Sequence, residues 1–179
     1  MVFIDCETSG LDHNLHEILE FGAINADHQT LSIKIKPLHI ESAQPKALEI
    51  NGYREEDWKD AVDQQVACGM ILDFLDDAVV AGHNVGFDIN FLNAMIRKYQ
   101  SKRRIDYHVI DTVTVCYEHL VPLGLTSLSL KNVCSFVGID PEPDVHRALN
   151  GATKAQKIYQ TVTKAGWWTK RKWRKKAGL

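Results

Sequence analysis

The chain opens on "MVFIDC", apolar up to a single acid, which is the pattern of a central strand buried on both faces. "HEILEFGAINA" and "TLSIKIK" then alternate apolar and polar residues across a short "DHQ" break. They predict neighbouring strands of a meander, the second at a sheet edge. "ESAQPKALEINGY" predicts a short helix stopped at Asn51-Gly52. Apolar residues at helical spacing run through "DAVDQQVACGMILDFLDD", and "AVVAGHN" is a short buried strand. "GFDINFLNAMIRKYQ" is an amphipathic helix with its basic residues in the last turn. "YHVIDTVTVCYEHL" reads as a strand passing into a helix, "SLSLKNVCSFVG" as a helix with a Gly stop, and "DVHRALNGATKAQKIYQTVTK" as one long helix. This order predicts an α/β domain with a mixed sheet. No Gly-rich phosphate loop follows a strand, which argues against a nucleotide-binding fold of the P-loop or dinucleotide kind.

Composition sharpens this only in places. A chain of 179 residues, 45% hydrophobic and 25% charged, suits one globular domain with a full core. No apolar run approaches the roughly 20 residues that span a bilayer. The N-terminus is strand-like rather than signal-like, so the expectation is a cytoplasmic protein with no membrane role. Cys6, Cys68, Cys116 and Cys134 follow no metal spacing and are expected as reduced, buried thiols. Composition changes near Gly166, dividing a domain over 1–166 from a basic, Trp-rich tail over 167–179. The small net charge of −2 hides a split: residues 1–144 carry 11 Lys/Arg against 23 Asp/Glu, and residues 145–179 carry 10 Lys/Arg and no acid. An acidic body with a basic end suits a carboxylate site beside a polyanion surface.

The acids are where the chemistry concentrates. Asp5 and Glu7 stand two apart at the end of the first strand, so their side chains share a face. Two carboxylates on an apolar strand repel one another and lose hydration, and a bridging divalent cation relieves both penalties. Asp88 falls in the first turn of its helix, where an acid also serves the helix dipole. His146 stands next to the start of the last long helix, and Asp111 in "VIDT" is expected to cap the helix that follows it.

Taken in order, Asp5-x-Glu7-Thr8-Ser9-Gly10, then Asn84-x-x-Phe87-Asp88-x-x-Phe91-Leu92, then His146-x-Ala148 resemble the three motifs of the DnaQ-like (DEDDh) 3′–5′ exonucleases, over residues 1 to about 164. The resemblance implies a ribonuclease H-like fold, a five-stranded mixed sheet flanked by helices. It implies Asp5, Glu7 and Asp88 as ligands of two Mg²⁺ or Mn²⁺ ions and His146 as general base, releasing nucleoside 5′-monophosphates from DNA or RNA 3′ ends. Two hard cations can stabilise both the attacking and the leaving oxygen of a phosphodiester displacement, and histidine exchanges protons near neutral pH. The resemblance also implies that Thr8, Ser9, Gly10, Leu11, His83, Asn84 and Phe87 hold the terminal nucleotide. Leu11 is open to a second reading as core filler.

The third motif departs from the family pattern. The family places an aspartate five residues after the histidine, and here that position is Gly151. Asn150 cannot substitute, because adjacent helical positions lie about 100° apart. The expectation is an exonuclease architecture with weakened metal binding. The alternative is a non-catalytic nucleic-acid-binding module on the same fold. Partners are expected to be single-stranded or 3′-ended nucleic acid, in a replication, repair or RNA-processing setting. In the tail, Trp167, Trp168 and Trp173 alternate with six Lys/Arg, a composition suited to stacking on bases and meeting phosphates. Lys102, Arg103 and Arg104 form a second basic cluster that either lies along the strand or closes a helix end.

Overall fold

The computed structural model describes residues 1–141 and 143–178. Its elements are β1 (Val2–Thr8), β2 (Ile18–Asn25), β3 (Thr30–Lys34), α1 (Pro45–Asn51), α2 (Gln64–Phe74), β4 (Val80–Gly82), α3 (Val85–Lys98), β5 (Val109–Asp111), α4 (Thr112–Leu120), α5 (Leu130–Val137), α6 (Ala148–Thr163) and α7 (Trp167–Lys176). The sheet order is β3-β2-β1-β4-β5, antiparallel from β3 to β1 and parallel from β1 to β5. The five-stranded mixed sheet is therefore the expected one, with β1 central and β3 at an edge. Gly52 (φ 62°) and Gly138 (φ 83°) end α1 and α5 in the left-handed conformation that lacks a Cβ penalty only in glycine.

The two faces of β1 serve different layers. Val2, Ile4 and Cys6 enter a core shared with α2 and α3, and Phe3 packs on the opposite face against Ala152 and Ala155 of α6. Strand alternation puts Asp5 and Glu7 on the α6 face. That helix buries a small-residue stripe of Ala148, Gly151, Ala152 and Ala155, which lets it come very close to the sheet. Under its first turn lies Gly22 of β2, where an added Cβ would stand 2.5 Å from Leu149 Cα. Only glycine fits there.

One expectation needs correction. The last long helix begins at Ala148, not near Asp144. Arg147 is extended (φ −138°, ψ 128°), and the His146 N–H is spent on Ile50 O at 3.0 Å, so the segment before Ala148 is tied to the end of α1 and does not coil. The basic, Trp-rich stretch after Gly166 folds as α7. Its Trp173 is buried in a second core with Cys116, Leu120, Val133, Cys134, Ile158 and Val162. The four cysteines are buried, and among the described residues none is in a disulfide. Arg103 closes a helix end: its guanidinium donates to Leu72 O at 2.6 Å and to Asp76 at 3.0 Å, clasping the end of α2. Among the described residues, no helix is long and apolar enough to cross a membrane.

Candidate active site

The end of β1, the start of α3 and the segment before α6 meet around a cavity of about 230 Å³, lined by Asp5, Cys6, Glu7, His83, Asn84, Phe87, Asp88, Leu130 and His146. Residues far apart in sequence are thus brought to one place. Asp5 and Glu7 arrive on a strand, Asp88 on the first turn of a helix, and His146 on a loop anchored to Ile50.

Asp88 is the most constrained of the acids. It is 2% exposed, and its Oδ1 has no hydrogen-bond partner. Burial raises its pKa from the ordinary 3.8 to about 7, opposed by hydrogen bonds from the Cys6 thiol and the Cys6 backbone N–H, with Glu7 pushing it further up. The Cys6 thiol is itself held well above its usual range by burial and by the neighbouring carboxylates Asp88, Asp5 and Glu7. A buried carboxylate oxygen facing other acids, with nothing to accept from, is suited to a hard cation. Asp5, Glu7 and Asp88 share the cavity, yet among the described residues no group of three or more His, Cys, Asp or Glu is drawn together tightly enough to hold a metal ion. Asp5 comes close to the first turn of α6. Its carboxylate rests against Gly151, so that a Cβ on that residue would stand 2.6 Å from Asp5 Cγ.

The structure also places Glu20, to which no motif in the sequence points. Glu20 of β2 lies directly opposite Glu7 in the β1 register and is 4% exposed. Its Oε1 accepts the Ala148 N–H at 3.1 Å, and Arg147 stands 3.7 Å from Oε2. Arg147 donates to Asn51 O at 2.8 Å, and Asn51 Nδ2 donates to Thr8 O at 3.1 Å. Glu20 therefore caps α6 from across the sheet, where the helix has no cap of its own. Desolvation raises its pKa against the pull of Arg147. A charged residue inside the apolar run "ILEFGA" was the available signal. Glu20→Ala is expected to cost about 2–3 kcal/mol, since it strands a buried N–H as well as removing a cap. Glu20→Gln keeps the acceptor and should cost less than about 1 kcal/mol. Urea unfolding of the two variants checks this, and equal losses would show that the cap is not what Glu20 supplies.

The remaining expected contacts are positioned as follows. Thr8 Oγ1 donates to Gly10 O at 2.7 Å, and Ser9, fully buried, accepts the Glu17 N–H at 2.9 Å. Both side chains hold the turn. A Cβ on Gly10 would stand 2.6 Å from the His16 ring, so a larger residue there would push the His16 side chain aside. Leu11 is 73% exposed, which removes the core-filling reading. His83 lines the cavity with both ring nitrogens engaged, Nδ1 with Thr112 Oγ1 at 2.9 Å and Nε2 with Leu128 O at 2.7 Å. Burial lowers its pKa, Nε2 donates to Leu128 O, and the Thr112 hydroxyl beside Nδ1 spends its own proton on Gly82 O at 3.0 Å. Asn84 is left-handed (φ 64°), and its N–H donates to Asp111 Oδ1 at 2.9 Å. The same oxygen accepts the Val113 N–H, so Asp111 caps α4 as expected. Phe87 packs on Phe91 with ring centroids 4.9 Å apart.

The sequence profile of the family "Exonuclease", of the ribonuclease T type, matches residues 2–159, which include every residue of this cavity. The chain belongs to this exonuclease family. Among relatives of this exonuclease-family chain, the PolC-type DNA polymerase III of Mycoplasma genitalium is 32% identical over 168 residues, 88% of this chain and 11% of that protein. The ribonuclease T of Shewanella frigidimarina is 28% identical over 181 residues, covering 88% of this chain and 79% of that one. The chain thus spans about a tenth of the PolC-type relatives it matches. E. coli Exonuclease I, solved in complex with a dT13 oligonucleotide, superposes with a TM-score of 0.73 at 20% identity, over 91% of this chain and 40% of that one. That likeness establishes the fold, a DnaQ-like, ribonuclease H-like sheet flanked by helices.

Proposed function

We propose that the chain is a metal-dependent 3′–5′ exonuclease that releases nucleoside 5′-monophosphates from DNA or RNA, with activity weakened by glycine at position 151. The observation that carries this reading is the cavity into which Asp5, Glu7, Asp88 and His146 converge, with the buried Asp88 Oδ1 left without a partner. Asp5, Glu7 and Asp88 are the residues that would hold Mg²⁺ or Mn²⁺. When bound, two such ions stabilise charge on the attacking and leaving oxygens of a phosphodiester. His146, on the rim formed with Leu130, takes the proton of the attacking water. Thr8, Ser9 and Gly10 shape the turn that presents Leu11 to the terminal base, and Phe87 and Asn84 flank the sugar. His83 fixes the loop before α5 and, with no free ring nitrogen, offers the nucleotide its ring face. PolC-type polymerases among the relatives favour a replication setting, and the oligonucleotide held by Exonuclease I favours a single-stranded 3′ end.

The second reading, a non-catalytic nucleic-acid-binding module, is favoured by Asp5 resting against Gly151, where the family pattern has a further carboxylate. One experiment separates them. A 5′-labelled single strand incubated with Mn²⁺ should shorten stepwise from its 3′ end, and His146→Ala should stop it. A strand that binds but stays intact with both Mn²⁺ and Mg²⁺ would establish the module instead.

A further inference from the structure

α7 lies beyond the residues matched to the exonuclease family, and its sequence "WWTKRKWRKK" makes two faces. On one, Trp173 is buried 6.4 Å from Phe136 and fixes the helix to the domain. On the other, Trp167, Lys170, Arg171, Arg174 and Lys175 recur at i, i+3, i+4, i+7 and i+8, so they form a single stripe. With Leu123 they line a groove of about 590 Å³. Trp167 and Trp168 are 62% and 72% exposed, and the Arg171 guanidinium stands 5.3 Å from the Trp167 ring.

This stripe works against its own folding. Like charges three and four apart on a helix are mutually destabilising, and two large indoles in water gain nothing from burial. Among the described residues, none of the four cations forms an ion pair, although the body of the chain is rich in carboxylates. The positive charge continues toward the cavity. Lys157 and Lys164 are exposed on and just after α6, and no acid occurs anywhere from 145 to 179. From Gly151, beside Asp5, to the end of α6 is about 18 Å at 1.5 Å per residue.

We propose that α7 is an accessory binding site for single-stranded nucleic acid, holding the part of the strand upstream of the 3′ end that enters the cavity. Phosphates meet Lys170, Arg171, Arg174 and Lys175, and bases stack on Trp167 and Trp168. The identity of the strand as substrate rests on the exonuclease reading; the binding itself does not. At roughly 3.4 Å per stacked nucleotide, a strand must exceed about six nucleotides to reach from the cavity to α7.

The test uses the full chain in EDTA, so that binding is read without cleavage. A fluorescein-labelled 20-nucleotide oligo-dT is titrated over a salt series by anisotropy. Exchanging Lys170, Arg171, Arg174 and Lys175 together for glutamate should weaken binding at least about tenfold and reduce the log–log salt slope by roughly 2–3, near 0.7 for each phosphate no longer neutralised. Trp167→Ala with Trp168→Ala should weaken it by about tenfold and leave the slope unchanged, as stacking releases no counterions. Both variants keep Trp173, and their melting temperatures confirm folding. With Mn²⁺ added, hydrolysis of a four-nucleotide strand should be unaffected and hydrolysis of the 20-nucleotide strand should show a raised KM. An unchanged salt slope in the charge variant overturns the proposal. So does loss of binding to phosphatidylserine vesicles with oligonucleotide binding intact, which would make the helix a membrane-surface element. Failure of the four-nucleotide hydrolysis in the parent chain would count against the exonuclease reading alone.

Discussion

Replacing Gly151 by aspartate is expected to raise the rate of 3′-end hydrolysis by about tenfold to a thousandfold. A carboxylate added beside Asp5 brings charge to the place where cations are held, and such electrostatic terms are commonly worth several kcal/mol, with about 1.4 kcal/mol for each factor of ten. The geometry sets a condition. Any side chain at 151 meets the Asp5 carboxylate, the mobile end of a short side chain, which must swing away from α6 into the cavity. Gly151→Ala is therefore the informative control, since it displaces Asp5 without adding a ligand. The gain in helix propensity, about 1 kcal/mol, offsets part of that displacement. The alanine variant should stay within a few-fold of the parent in rate, while the aspartate variant rises and binds Mg²⁺ more tightly by calorimetry. His146→Ala in the aspartate background should then remove most of the gain. If Gly151→Asp binds metal no better and cleaves no faster, the glycine is not what limits the site.

The second large effect is expected at Asp88. Without metal, this buried carboxylate has its pKa raised to about 7. Below about pH 4 it is protonated in both folded and unfolded chains and costs nothing. As pH rises toward 7 the unfolded chain loses its proton first, the folded state binds more protons, and stability falls; above 7 the penalty is complete. Asp88→Asn removes it. In EDTA at pH 8 the variant should gain about 2–3 kcal/mol, or roughly 5–10 °C in melting temperature for a chain of this size. At pH 4 the two proteins should melt together. Mg²⁺ should raise the melting temperature of the parent at pH 8, as any ligand selective for the folded state does, and leave the variant unmoved. Exonuclease activity should be lost in the same variant. A metal-free Asp88→Asn protein less stable than the parent at pH 8 would show that the carboxylate is not strained.

The parts legible in sequence were those coded locally. The apolar run before Asp5, the alternation through β2 and β3 and the glycine stops at Gly52 and Gly138 each depend on a few neighbouring residues, and all sit where expected. The meeting of Asp5, Glu7, Asp88 and His146 in one cavity followed from motif order on that frame. What stayed hidden depends on contacts across the sheet. Glu20 looks like one more residue in an alternating strand until α6 is laid over it. The start of α6 at Ala148 is set by that distant cap and by the hold of Ile50 on His146, and not by helix propensity. The binding of both nitrogens of His83 requires Thr112 and Leu128, from two other elements. Trp173 could not be told from Trp167 and Trp168 by type, and only the second core separates the anchor from the exposed pair.

The cap on α6 has a consequence for how the molecule comes into being. Glu20 and Ala148 are separated by 128 residues, and Gln156 reaches Asn25 across 131. Contacts of such span close late, because the entropy of a long loop is lost before the contact rewards it. On the ribosome the first three strands emerge well before α6, and a growing chain presents Asp5, Glu7 and Glu20 to water with no helix over them. Position 151 and His146 join those acids only when synthesis has passed α6, so the cavity that Asp5, Glu7, Asp88 and His146 line closes only after that helix has been made.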